Sequence, residues 1–482
     1  MVANPYSNYI NGTWQSGTTV IDNINPANTE DLIGHYAAAD AHQITEAIQA
    51  ANAAQPTWAA TGPETRYAAL MRIGETLKSR SAELGQELSR EEGKPLAEGK
   101  AEVFRAGQFF TYYAAEAHRL SGDRIDSVRP NIEVDTRREP VGTVGIISPW
   151  NFPLATAVWK IAPALVYGNA VVWKPSEEVP HSAWALADII SNENALSNGE
   201  FNLVNGTGPT AGQALVESPW LDAISFTGSL EVGSHVLATA AKNRVAVQLE
   251  MGSKNPLVIM EDADIETAVS AAIAGGYSGS GQKCTASSRL IVHDAIHEQF
   301  VDELVKRLRS MTVGDPIADE AQIGPIINQN QLERIEAYLT IGEQAGATRR
   351  CGGQRVSRET PGHFLSPALL TETRNDMQVN RDEIFGPVAC VIRVNDFEEA
   401  VAIANDTDYG LTSGIVTESL RYATEFRRRS ASGCVMVNLP TAGTDYHVPF
   451  GGRGASSFGP SEQGQSARDF YTKIKTSYVR IG

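Results

Sequence analysis

The sequence predicts an α/β protein with two parallel-sheet units, each carrying helices on both faces, and a small separate β flap. Two runs of strand–helix alternation predict the sheets, and a pair of half-exposed strands outside both runs predicts the flap. The 482 residues exceed what one hydrophobic core serves, which agrees with more than one unit.

The elements follow in order. Residues 41–57 and 64–120 return apolar side chains at helical spacing and are rich in Ala, Glu and Leu. The pattern then changes to short buried strands at 141–148 and 170–174, with a helix over 154–167 between them. Strands at 201–204 and 223–226 continue the series, with helices at 182–191 and 209–217. A second series follows residue 253: strands at 257–260, 289–292, 388–394 and 434–438, with helices around 295–310 and 330–345. Residues 131–137 and 471–481 alternate polar and apolar as half-exposed strands do. Edges of that kind are often covered by a second subunit, so oligomerisation is expected.

Composition excludes several classes. Hydrophobic residues make up 42% and charged residues 20%, as in globular enzymes. A net charge of −17 argues against a nucleic-acid partner, which wants a basic face. Cys284, Cys351, Cys390 and Cys434 lack CxxC or metal-ligand spacing, so no metal site is expected and a reducing compartment suits them. Met1-Val2-Ala3-Asn4-Pro5 lacks a basic region followed by an apolar run, and no apolar stretch reaches the ~18 residues of a membrane span. A cytoplasmic location without membrane attachment is the expectation.

Chemistry concentrates in a few segments. Gly281-Gln282-Lys283-Cys284 offers a thiol in a small-residue loop, preceded by the glycines of 275–281. Glu250, in Leu249-Glu250-Met251-Gly252, offers a carboxylate base expected in another loop. A thiol and a base together can form a thioester and hydrolyse it. Asn151, in Trp150-Asn151-Phe152-Pro153, follows a buried strand; its amide can serve an oxyanion or cap the next helix. Lys174-Pro175-Ser176-Glu177 sits at a strand's carboxyl end, where open sheets bind ligands, and reads equally as a polar loop. Phe226-Thr227-Gly228-Ser229 is a strand end, a glycine turn and a helix start, a phosphate-binding geometry that also serves plain turns. Asn205-Gly206-Thr207-Gly208 is a candidate second wall of that crevice.

These segments resemble the NAD(P)-dependent aldehyde dehydrogenase superfamily, in the family's order and from about residue 8 to the carboxyl end, with Glu383-Ile384-Phe385-Gly386-Pro387 and Pro449-Phe450-Gly451-Gly452 completing the set. The resemblance implies two Rossmann-like units: a cofactor-binding domain over 1–120 and 141–252, and a catalytic domain over 253–445. It also implies an oligomerisation flap over 121–140 and 465–482 that builds a homodimer or homotetramer. By matching position, it implies Cys284 as nucleophile, Glu250 as general base, and Asn151 with the Cys284 N–H as oxyanion site. Lys160 and Glu462 match a proton-relay pair. Lys174 and Glu177 match adenosine-ribose contacts, and Ser229 the pyrophosphate contact. Glu383 and Phe385 match a nicotinamide-ribose clamp. Ser148, Pro149, Trp150, Ser176, Gly208, Gly212, Phe226, Gly228 and Gly252 complete the implied cofactor set. NAD is the expected cofactor, because Glu177 opposes a 2′-phosphate, with NADP possible. Two departures stand out: Ser253 replaces the second glycine of Glu-Leu-Gly-Gly-Lys, and Gly459-Pro460-Ser461-Glu462 replaces the common tail.

The segments 281–289 and 442–450 look like the branch oxidising 2-oxoglutarate semialdehyde, with succinate semialdehyde as the near alternative. Both substrates end in a carboxylate. Arg105, on one helical stripe with Phe109 and Tyr112, is its expected partner unless Glu102 at i−3 takes the charge. Phe152, Trp159 and Ser287 are the expected tunnel walls. A non-catalytic protein on the same fold is disfavoured by Cys284, Glu250 and Asn151 occurring together. A CoA-dependent acyl transfer is disfavoured by Glu250.

Overall fold

A computed structural model describes residues 5–318 and 321–481. The expectation of no leader at Met1–Asn4, and the terminal residues of the expected cofactor-binding and flap segments, lie outside the described residues.

The first sheet has eight strands, and five of them form its parallel centre. In spatial order these are Phe201–Leu203, Ala170–Lys174, Thr143–Ile147, Ala223–Thr227 and Ala246–Glu250. The edges run antiparallel: Asn8–Ile10 pairs with Phe201–Leu203, and Ser457–Phe458 with Ala246–Glu250. The chain order reverses between Thr143–Ile147 and Ala223–Thr227, and such a switch point opens a crevice at the strands' carboxyl ends. Leu70, Phe110 and Ile161 cover one face of the sheet; Ile48, Leu215 and Val236 cover the other. The helix Ala155–Val166 is buried along nearly its whole length, Lys160 included.

The second sheet places Ala368–Thr373, Val388–Val394, Ser287–His293, Asn255–Ile259, Thr412–Val416 and Cys434–Val437 in parallel, with Thr348–Cys351 antiparallel at one edge. A three-stranded flap is made by Arg124–Asp126, Ile132–Pro140 and Thr472–Arg480. Ile125, Val128, Ile474, Tyr478 and Val479 stand exposed on it.

The expected alternation is present, and the helical run 64–120 resolves into Pro63–Ser79, Ser81–Glu92 and Leu96–Glu116. Three features differ from expectation. Glu250 lies at the end of a strand, paired along its length with Ala223–Thr227, and not in a loop. Both sheets are mixed, their antiparallel edges supplied by short segments with weak periodicity. A hairpin, Thr19–Ile24 with Leu32–Ala38, stands apart from both.

One buried cation ties the second sheet to its helices. Arg289 is fully buried; its Nε donates to the Lys254 carbonyl at 3.0 Å, and its Nη atoms donate to the Ile403 and Ala404 carbonyls at 2.9 and 3.0 Å. Those last two close the carboxyl end of helix Phe397–Asn405. Arg289→Leu strands these acceptors, so it should destabilise the protein by roughly 3 kcal/mol. A denaturation midpoint equal to the parent's would show that the helix end finds other donors.

Candidate active site

The nucleophile loop adopts a backbone that few sequences tolerate. Gly279, Ser280 and Gly281 are consecutive left-handed residues, with φ of 58°, 54° and 66°. A Cβ on Gly281 would meet the Gly386 carbonyl at 2.2 Å, so only glycine fits. Ser280 Oγ donates to the Gly324 carbonyl at 3.0 Å. Asn255 Nδ2 donates to the Cys284 and Ala286 carbonyls at 2.8 and 2.9 Å. Cys284 is thereby presented to a cleft of about 430 Å³ between the carboxyl ends of the first sheet and the amino ends of the second. Burial, then Glu383 and Glu250, push its thiol up to about 12.

Asn151 lines the same cleft, largely buried, and its Nδ2 donates to the Gln282 carbonyl at 2.8 Å, leaving a second N–H. Its own carbonyl accepts from Lys94 Nζ at 2.6 Å, and Lys94 also donates to Glu102 at 2.6 Å. Glu102 in turn accepts the backbone N–H groups of Leu154 and Ala155 at 3.0 and 3.1 Å.

Glu250 lines the same cleft and accepts from Ser457 Oγ at 2.7 Å. Burial, and then the charge of Glu462, lift its carboxyl well above the ordinary range. Glu462 and Lys160 lie behind the wall as a fully buried ion pair, with Ser225 Oγ 3.1 Å from Lys160 Nζ.

Of the residues expected to hold a cofactor, Pro149, Trp150, Gly228, Ser229, Gly252, Glu383 and Phe385 line the cleft. Ser229 caps helix Leu230–Asn243, whose amino end opens there. Phe385 adopts φ 59° and meets Trp150 edge-on at 5.4 Å. A Cβ on Gly252 would strike the Glu383 carboxylate at 2.1 Å, and the Ser253 N–H donates to that carboxylate at 2.8 Å. The Ser253 departure is accommodated by its hydroxyl donating to Asn255 at 2.7 Å. Lys174 and Glu177 pair at 3.0 Å at a strand's carboxyl end, and Glu177 also accepts from the Gly208 N–H at 3.1 Å. Burial opposes the Glu177 charge, but Lys174 and backbone donors outweigh it and hold the carboxyl below its ordinary range. Ser176 Oγ, beside this pair, accepts the Glu178 N–H. A helix amino end at the cleft and an acid–base pair at a strand's carboxyl end suit a dinucleotide. Lys174, Ser176, Glu177 and Gly208 lie outside the cleft's lining, as do Ser148, Phe226 and Gly212: Ser148 accepts the Trp173 indole N–H, Phe226 packs in the core, and Gly212 is buried.

Arg105, Phe152 and Trp159 line the cleft. Arg105 stands over the Tyr446 ring at 5.5 Å, and Phe109 and Tyr112 of its stripe meet the same ring. Lys94 has taken Glu102, so the expected competitor for Arg105 is engaged elsewhere. Ser287 does not reach the cleft; its hydroxyl is buried against Thr441 at 2.6 Å, and Thr285 lines the wall instead. Sequence reasoning missed Asn255, Lys94 and Ser457. Asn255 and Ser457 lie in short strand segments without a motif, and Lys94 falls inside the run 64–120 expected to be helical, where the structure has a break. Among the described residues no cluster of His, Cys, Asp or Glu could hold a metal ion, and no helix is long and apolar enough to cross a membrane.

The raised Glu250 carboxyl has a consequence for stability. Its folded pKa lies above its ordinary 4.5, so between those values the folded state binds the extra proton. Stability from this group is therefore present at low pH and lost as pH rises above 4.5. Glu250→Gln removes that loss. Its unfolding free energy should gain on the parent's as pH rises, by up to about 1.4 kcal/mol per pH unit. A gap that stays constant or shrinks between mildly acidic and mildly alkaline pH would place the proton elsewhere.

The comparisons with known proteins agree with this geometry. The profile of the aldehyde dehydrogenase family matches residues 14–477. The alpha-ketoglutaric semialdehyde dehydrogenase of Bacillus subtilis is 40% identical over 484 residues, covering 99% of this chain and 98% of the relative. The 2,5-dioxopentanoate dehydrogenase of Saccharolobus solfataricus is 36% identical and covers 96% of each. The crystal structure of betaine aldehyde dehydrogenase from Staphylococcus aureus in complex with NAD+ superposes with a TM-score of 0.96 at 32% identity, over 100% of this chain and 96% of that one. With a family-wide match over nearly its whole length, the chain belongs to the aldehyde dehydrogenase family.

Proposed function

We propose that this chain oxidises 2-oxoglutarate semialdehyde to 2-oxoglutarate with NAD. Arg105 carries the substrate reading. Its guanidinium lines the cleft that holds Cys284 and, among the described residues, pairs with no acidic side chain, so its charge is available to a distal carboxylate. The names of the relatives from Bacillus subtilis and Saccharolobus solfataricus support the same substrate.

NAD would lie with its adenosine ribose against Lys174 and Glu177, its pyrophosphate at Ser229 and its nicotinamide ribose against Glu383 and Phe385. When bound, it supplies the hydride acceptor for the oxidation. The chain's own residues do the rest. Cys284 Sγ adds to the aldehyde carbon as the thiol loses its proton. The oxyanion takes the second N–H of Asn151 with the Cys284 N–H opposite; one such donor is worth roughly 3–4 kcal/mol. The acyl group left on sulfur is hydrolysed by water that Glu250 deprotonates. Glu250 must first lose its own proton, and the buried Lys160–Glu462 pair offers the neighbouring path.

The segments 1–120 and 141–252 serve the cofactor in this reading, and 253–445 the chemistry. The flap of 121–140 and 465–482, with exposed Ile125, Ile474 and Tyr478, pairs with a second copy to give a homodimer or homotetramer. Four free cysteines suit a cytoplasmic enzyme.

Arg105→Leu should raise KM for the semialdehyde by about 10- to 150-fold, the worth of a charge-assisted hydrogen bond of roughly 1.5–3 kcal/mol, and leave propanal oxidation unchanged. Equal effects on both substrates would reassign Arg105 to structure and undo the substrate reading.

Cofactor choice should follow Glu177, whose carboxylate opposes a 2′-phosphate. The parent should prefer NAD, and Glu177→Gln should improve catalytic efficiency with NADP. A parent that favours NADP would overturn this assignment.

A further inference from the structure

We infer that the buried Lys94–Glu102 ion pair is a positioning device that sets the Asn151 amide from its backbone side. The inference rests on the proposed oxyanion role of Asn151. In the segment between strand Thr143–Ile147 and helix Ala155–Val166, Leu154 at the helix start makes no side-chain cap, so the helix's first N–H groups are not satisfied from within it. The pair supplies what is missing from elsewhere. Lys94 Nζ grips the Asn151 carbonyl at 2.6 Å, and Glu102, 2.6 Å from the same Nζ, takes the Leu154 and Ala155 N–H groups with its other oxygen. Both ends of the turn that carries Asn151 are thus held by one ion pair. Lys94 also lies 4.2 Å over the Phe152 ring, fixing the residue in between.

Both partners are about 95% or more buried, Lys94 in the connection after helix Ser81–Glu92 and Glu102 on helix Leu96–Glu116, and hydrophobic residues of similar volume often serve stability as well as a buried ion pair. Stability alone does not account for two buried charges here. Geometry does, since an error of about 1 Å in a catalytic donor costs on the order of 10²-fold in rate. On its other side Asn151 is fixed by the Gln282 carbonyl, two residues from the nucleophile. The pair therefore fixes the backbone from which the donor reaches the Cys284 loop.

The test is a double-mutant cycle read by the single-turnover rate of NADH formation from propanal, which makes no use of the distal carboxylate. Lys94→Met should slow this step by about 30-fold or more in the parent, and by less than about 2-fold in an Asn151→Ala background, because a positioning residue loses its effect once its target is gone. KM for propanal should change little. The melting temperature should fall equally in both backgrounds. Glu102→Gln keeps an oxygen for the Leu154 and Ala155 N–H groups while removing the charge; run through the same cycle, it answers the question whether or not Lys94→Met folds. Equal rate losses in the two backgrounds, or no loss in the parent, would leave the pair a purely structural element and overturn the proposal. An Asn151→Ala rate equal to the parent's would instead remove the oxyanion role itself, and the proposal with it.

Discussion

The cleft depends on a loop held in a conformation that its own residues do not favour. Ser280 sits in the left-handed region between two left-handed glycines, which costs on the order of 1–2 kcal/mol for a residue with a Cβ. Locally the turn is closed by the Gln282 N–H donating to the Gly279 carbonyl at 3.0 Å. Side chains from distant elements add to it: Asn255 takes two carbonyls at Cys284 and Ala286, Asn151 takes the Gln282 carbonyl, and Glu98 accepts the Gly279 N–H at 3.2 Å. The thiol is therefore placed by both sheets at once, and any shift between them moves it.

Burial also moves several charged groups around this loop toward neutral pH. Glu383 is pushed up to about 7, and the amines of Lys283 and Lys254 are brought down to about 8, in each case mainly by loss of water. Such groups sit close to their titration points near neutral pH, where small changes in surroundings change their protonation. The Lys94–Glu102 pair is the contrast. Burial works against the Lys94 charge, but Glu102 and Glu92 outweigh it and hold the amine above its ordinary range. The cleft thus combines groups near neutrality, suited to moving protons, with one fixed ion pair, suited to holding geometry.

Much of this was legible in the sequence because the strand–helix alternation is strongly periodic and the site residues follow strand ends directly. Pro149 to Phe152 and Gly228 to Ser229 could be located from the strands before them. The edge strands could not, since two or three residues carry too little periodicity. That is why Ser457 went unseen; Glu250 was expected in a loop although it ends the strand Ala246–Glu250, paired along its length with Ala223–Thr227. Ser287 was misjudged for a related reason: the strand Ser287–His293 begins there, which turns its side chain toward Thr441 and away from the cleft. Lys94 and Asn255 act through backbone carbonyls, a role that leaves no pattern in residue type.

The antiparallel edge formed by Ser457–Phe458 has a consequence for how the protein comes into being. Ser457 reaches Glu250 across 207 residues of chain, and Glu462, which lifts the same carboxyl, lies further still. During synthesis the thiol of Cys284 leaves the ribosome long before either of them. A nascent chain carries that thiol before the surroundings of Glu250 exist, and these are completed only when the segment around Ser457 and Glu462 docks. The late closure of so distant a contact favours slow final folding, and loss of that segment would leave Glu250 without its hydroxyl donor and its charged neighbour.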